Sequence, residues 1–166
     1  IQNAPYTRLN SSEENSPKYA WLICRSAERE MNEPNPKLMD VILLALDHGI
    51  ECVKSSGGPL IPFVISEGTE RKMDVFVLEQ LEEAVVKARE FVDNAAPEVT
   101  FYAIAHDGYL TLEGEKFDAI LVEGGERGTS KALLFAQRYE PKKGFFSKLK
   151  SLGNPAFIGE TENRLK

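Results

Sequence analysis

The sequence predicts an α+β fold: an antiparallel β-meander sheet of about five to seven strands packed by an amphipathic helix, with N-terminal helices. Three observations carry that prediction. Residues 99–112, 116–122 and 131–139 are closely spaced runs rich in β-branched, aromatic and aliphatic side chains, separated by glycine-bearing segments. Residues 79–95 place Leu81, Ala84, Val85, Ala88, Phe91, Val92 and Ala95 on one helical face, with charges filling the opposite one. A chain of 166 residues with 42% hydrophobic content suits one domain with one sizeable core.

Residues 1–16 carry the polar run Asn10-Ser-Ser-Glu-Glu-Asn-Ser16 and read as a flexible N-terminal arm, leaving 17–166 as a single α+β domain. Ser16-Pro17 is a good helix start, because serine caps the free amides and proline suits the first helical position. Tyr19, Leu22, Ile23, Ala27 and Met31 follow at helical spacing until Pro34 and Pro36 stop the run. A second helix is expected over 36–54. Its polar residues Asp40, Asp47, Glu51 and Lys54 form one narrow stripe on an otherwise apolar surface, and Leu44 intrudes on that stripe. Such a helix packs between elements or meets a partner chain. Gly57 or Gly58 supplies a left-handed cap after it.

Leu60–Ser66 and Met73–Leu78 read as a strand pair across Glu67-Gly-Thr-Glu70, and the amphipathic helix 79–94 then covers one face of the sheet. In the meander, Asp107-Gly108 predicts a two-residue hairpin, since a type I′ turn needs positive φ at both central positions. That turn pairs His106 with Tyr109, Ala105 with Leu110 and Ala103 with Leu112. Alternation then places Phe101, Ala103, Ala105, Leu110 and Leu112 on one face, and Tyr102, Ile104, His106, Tyr109 and Thr111 on the other. Gly114-Glu115 predicts a second tight turn. The later strands are apolar on both sides, which requires cover on both faces. Residues 130–140 read as a strand, with a helix as the rival reading because Lys131-Ala-Leu-Leu-Phe-Ala-Gln-Arg138 has high helix propensity. Beyond Pro141 the chain turns basic (Lys142, Lys143, Lys148, Lys150), and Phe157-Ile158 is expected to dock a last short strand.

Composition narrows the function classes. A net charge of −6 argues against nucleic-acid binding, which leaves a basic footprint. No run approaches the roughly 20 apolar residues that span a bilayer. Cys24 and Cys52 are too few for a disulfide framework and read as buried free thiols, so the expected location is the cytoplasm. The chain opens on Ile1 rather than Met, which is compatible with a leader removed upstream.

The glycine loop around Gly124, Gly125 and Gly128 lacks the G-x-x-x-x-G-K-[ST] spacing that cradles phosphate, and Glu123 and Glu126 would repel an anion, so it reads as a wide hairpin loop. Two histidines on different elements give no metal-ligand spacing, and no metal or other cofactor is expected. Nucleophile motifs are absent as well, and neither cysteine is read as close to a histidine that could activate it.

What remains is a ligand-binding candidate at the sheet end. His106 beside Asp107 offers a base, with Tyr109 and Glu123 as neighbours, and Arg138 next to Tyr139 offers a charge-assisted grip on an anion. No catalytic residue is assigned. The leading expectation is a non-catalytic binding or protein-interaction module, self-associating as a homodimer through helix 36–54 or the sheet face. The alternative is a small enzyme or small-ligand binder built on His106, Tyr109, Glu123 and Arg138.

The segments Pro62-Phe-Val-Ile-Ser-Glu67, Ala105-His-Asp-Gly-Tyr109, Phe117-Asp-Ala-Ile-Leu-Val-Glu123 and Phe135-Ala-Gln-Arg-Tyr-Glu-Pro141 together resemble a family of uncharacterised bacterial proteins, over roughly residues 60–159. The resemblance implies a bacterial, soluble α+β domain and transfers no catalytic residue.

Overall fold

A computed structural model describes residues 34–141 and 149–166. The expected arm, the helix beginning at Ser16-Pro17, Cys24 and the basic residues Lys142, Lys143 and Lys148 lie outside the described residues. The described elements run α1 (Pro36–Ser56), β1 (Phe63–Glu67), β2 (Arg71–Val75), α2 (Leu81–Asp93), β3 (Phe101–Leu112), β4 (Glu115–Glu126), β5 (Lys131–Glu140) and β6 (Lys150–Glu162). All strand pairs are antiparallel, and the six strands form one open sheet in the order β2-β1-β3-β4-β5-β6. The fold is therefore α+β, a meander sheet packed by helices. Among the described residues no helix is long and apolar enough to cross a membrane.

Helix α1 begins where the Asn35 side chain accepts from the Lys37 amide at 3.0 Å and Pro36 occupies the first turn. It ends where Gly57, at φ 73°, donates its amide to Val53 O at 2.9 Å. Its wide apolar surface is used within the chain: Val41, Ile42, Ala45, Leu46 and Val53 are almost wholly buried against β3, β4 and β5. Helix α2 lies on the opposite face and buries Ala84, Ala88 and Val92, the last two clustering with Val64, Tyr102 and Ile104. The need for cover on both faces is met by these two helices.

The meander departs from its predicted turn. β3 passes through Asp107 and Gly108 as a single strand and reverses at Glu113-Gly114, whose φ values of 51° and 85° are those of a two-residue type I′ turn. Leu112 pairs with Glu115, and the ladder continues without a break to Phe101 opposite Glu126. Gly108 serves a different need: a Cβ there would lie 2.6 Å from Leu121 Cδ1, so glycine lets the cross-strand leucine lie over the backbone. Asp-Gly was thus a packing feature that looked like a turn. The consequence for the faces is large, because an uninterrupted strand puts His106 and Tyr109 on opposite sides.

Residues 131–140 form a strand, as expected, but β6 is much longer than the short strand foreseen around Phe157-Ile158. Gly124 and Gly125 belong to β4 rather than to a loop. A side chain at Gly124 would collide with Ile42 Cγ1 and Cδ1, the latter at 2.7 Å, so glycine lets α1 approach the sheet. At Gly125 it would meet Asn163 and Tyr102. Only Gly128, at φ 89°, works as a turn residue.

Candidate functional site

The four residues picked from the sequence do not share a cavity. Tyr109 is 62% exposed, with the Lys116 ammonium 3.5 Å from its ring centroid. Arg138 stacks over Phe117 at 5.0 Å and helps line a shallow groove of about 400 Å³ beside β6. His106 and Glu123 occupy the α2 face, where Ile104 pairs with Glu123 and His106 with Leu121, so they are diagonal neighbours across the β3–β4 ladder. Neither lines that groove or the one along β2 and α2.

Glu123 is instead the buried centre of a polar cluster. It is 3% exposed, and its Oε1 accepts from the Tyr102 hydroxyl at 3.0 Å and from Arg164 Nε at 2.8 Å. Arg89 Nε stands 3.5 Å from Oε2, near enough to pair electrostatically yet without hydrogen-bond alignment. Arg164 reaches on to Asp93 at 3.3 Å, and Leu165 closes the hydrophobic cluster beneath α2. Asn163 fixes the same segment by donating to Glu126 O at 2.6 Å and Thr129 O at 2.8 Å. The buried carboxylate thus ties the C-terminal residues and α2 to the sheet.

Electrostatics follow burial. Desolvation, reinforced by the Glu123 charge, holds the Tyr102 phenol far above its ordinary value. Burial lowers the His106 pKa, against a smaller opposing effect from its Nδ1 contact with Asp107 O at 2.9 Å. Partial burial disfavours the Arg164 charge, but Glu123 and Asp93 outweigh it and leave that pKa raised. The cluster holds charges in place rather than presenting a reactive group to a ligand.

Two pairings escaped sequence reasoning. On the α1 face the Tyr139 hydroxyl donates to Asp107 Oδ1 at 2.9 Å, and burial raises the Asp107 pKa. Recognising β3 as continuous would have found this pair, since Asp107 then faces Ile120 and shares its side with Tyr139 across β4. The second corrects the statement that no cysteine has a nearby histidine: Cys52 Sγ lies 3.3 Å from His48 Nε2, one helical turn away on α1. The spacing of four was the available signal. Cys52 is a half-buried free thiol rather than a fully buried one, and the His48 ring packs edge-on to Phe63 at 5.1 Å. Neither residue lines the groove beside β6 or the one along β2 and α2. No group of His, Cys, Asp and Glu that could hold a metal is found among the described residues.

A larger concavity than the groove beside β6 lies elsewhere. A groove of about 1070 Å³ runs along β2, the connector 76–78 and the C-terminal half of α2. Its floor is Tyr102, Val92 and Val99, and its rim carries Val77, Leu78 and Phe91, with the Phe76 and Phe91 rings edge-to-face at 5.7 Å. Val77 is 73% exposed, Leu78 44% and Phe91 41%, so large apolar side chains stand in water around an apolar hollow. No protein-family model matches the chain, and the comparisons with curated proteins and with solved structures yield no match.

Proposed function

We propose that this chain is a non-catalytic protein-interaction module that docks a partner along the groove between β2 and α2. The observation that carries this reading is the exposed apolar rim of Val77, Leu78 and Phe91. Contiguous exposed apolar surface of this kind is costly in water and marks interaction sites. The adjoining edge strand adds backbone donors and acceptors, the combination by which sheet edges take up extended segments. We place it in a reducing cytoplasm, where Cys52 remains a thiol. The small-enzyme alternative needs His106, Tyr109, Glu123 and Arg138 around one cavity, and their positions on both faces give it no geometric support.

Selection from a displayed library of random extended peptides tests the reading. The wild-type protein is expected to enrich Val-, Ile-, Leu- and Phe-bearing sequences that add a strand at β2, and Val77→Asp with Phe91→Asp to abolish the enrichment. Equal enrichment by the variant, or none by a wild type that is also monomeric, would end the proposal.

A further inference from the structure

The free edge of the sheet has an unusual self-complementarity. Phe76 N donates to Pro62 O at 2.8 Å and Gly68 N to Glu70 O at 3.1 Å, so the even-numbered residues of β2 turn their backbone groups toward β1. The backbone N–H and C=O groups of Arg71, Met73 and Val75 therefore point outward, and among the described residues no strand pairs with them. Met73 is 43% exposed. Lys72 and Asp74 flank it on the α2 face, opposite in sign.

We infer that β2 pairs antiparallel with β2 of a second copy of this chain, about a two-fold axis at Met73. The inference rests on the interaction-module reading and names its partner. In this register Met73 faces the partner's Met73 and Arg71 faces the partner's Val75, so the outward backbone groups satisfy one another. Lys72 then stands opposite the partner's Asp74, and the reciprocal pair forms across the axis. These lie at non-hydrogen-bonded positions, where opposing side chains are closest.

Charge also selects the register. Sliding the strands so that Arg71 meets the partner's Met73 would set Lys72 against Lys72. Sliding the other way, with Met73 against the partner's Val75, would oppose Asp74 to Asp74. Only the centred register combines full overlap with attraction. A two-fold perpendicular to the sheet keeps both α2 helices on one side, so the two grooves open on the same face of the joined sheet.

The opposite edge, β6, is built differently. It carries Gly153, Pro155 and Gly159, and its pairing with β5 shifts register twice, devices that blunt an edge against pairing. β2 keeps an unbroken register with β1 and contains neither glycine nor proline.

Sedimentation equilibrium on the full chain tests this directly. The wild type is expected to be a dimer at tens of micromolar. Lys72→Asp alone and Asp74→Lys alone each turn both cross-strand pairs repulsive and should weaken dimerisation about tenfold or more. Mixing the two variants restores both attractive pairs in a heterodimer, and the double swap Lys72→Asp with Asp74→Lys restores the homodimer. Met73→Pro removes an outward amide without touching the β1 ladder and should give a folded monomer by circular dichroism. A monomeric wild type, or a dimer indifferent to all of these changes, overturns the inference. A monomer that still selects apolar peptides would leave the interaction-module reading standing, whereas one that selects none would remove both.

Discussion

The two faces of the sheet are covered by one helix each, yet they are built on opposite principles. On the α1 face a long helix sits close to the strands because Gly49 and Gly124 leave room for Ile120, Leu60 and Ile42. That contact is apolar and closed. On the α2 face a shorter helix buries only three residues, a carboxylate is held beneath it by two arginines and a tyrosine, and the cover stops short of β2. The difference teaches where to look for function. The helix whose sequence looked most in need of a partner finds it in the sheet, while the conventionally amphipathic helix leaves apolar surface uncovered beside it.

Breaking the tight face should have the largest effect. Ile42→Ala removes a fully buried side chain and is expected to cost about 2–5 kcal/mol in denaturant unfolding. Gly124→Ala should cost about 1–3 kcal/mol, because its methyl meets Ile42. The double variant should be more stable than the two costs added, since the new methyl occupies space that Ile42→Ala vacates. Simple additivity would show that the close approach at this point contributes little.

On the other face Glu123→Leu is expected to cost less, about 1–3 kcal/mol. The principal loss is an acceptor for the buried Tyr102 hydroxyl, whereas Arg89 and Arg164 are partly exposed and can turn to water. Tyr102→Phe in the same background should recover part of that loss. Faster hydrogen exchange at the Leu165 amide would show the C-terminal segment released, and unchanged exchange would mean that Asn163 alone holds it.

The same face carries a pH signature. Burial depresses the His106 pKa in the folded protein below the ordinary value of 6.5. The unfolded chain therefore binds the proton more readily, so the associated stability is fully present above about pH 6.5 and is lost as the pH falls toward the folded value. His106→Phe should flatten that part of the stability profile. Asp107, on the α1 face, acts with the opposite sign: its raised pKa makes the folded state favour the protonated carboxyl, which adds stability as pH falls through the acid range. Unfolding midpoints for His106→Phe and Asp107→Asn between pH 4 and 7 should diverge from the wild type in opposite directions.

Legibility in the sequence followed how local each signal was. The boundaries of α1 rest on Asn35 and Pro36 at one end and Gly57 at the other, each acting within its own turn, and the stripe of α2 is read from one helical period. The hairpin was misplaced because Asp107-Gly108 and Glu113-Gly114 are both an acidic residue followed by glycine, and only the cross-strand packing of Leu121 and the positive φ at Glu113 separate them. That single shift of the reversal point puts Tyr109 on the face opposite His106 and Glu123. Arg164 was invisible as a partner of Glu123 because the two are 41 residues apart and meet only after β6 has returned the chain across the sheet. The groove was equally hidden, since its rim joins the end of β2 to a helix that the sequence shows only as amphipathic.

The smallest expected effect on stability is also the most informative about function. Val77 is 73% exposed and supports nothing beneath it, so Val77→Asp should change unfolding stability by no more than about 0.5 kcal/mol. A residue conserving only the fold would then be silent in every binding measurement as well. A docking residue would be silent in unfolding and decisive in association, because a carboxylate placed on the apolar rim must be desolvated when the partner closes over it. Val86 on α2 supplies the matched control: it is 51% exposed, equally apolar, and absent from the groove. Val86→Asp should leave both stability and peptide selection unchanged, while Val77→Asp leaves stability alone and removes selection. If the two variants behave alike, the uncovered apolar surface beside α2 is ordinary exposed surface, and the contrast between the two faces is one of packing only.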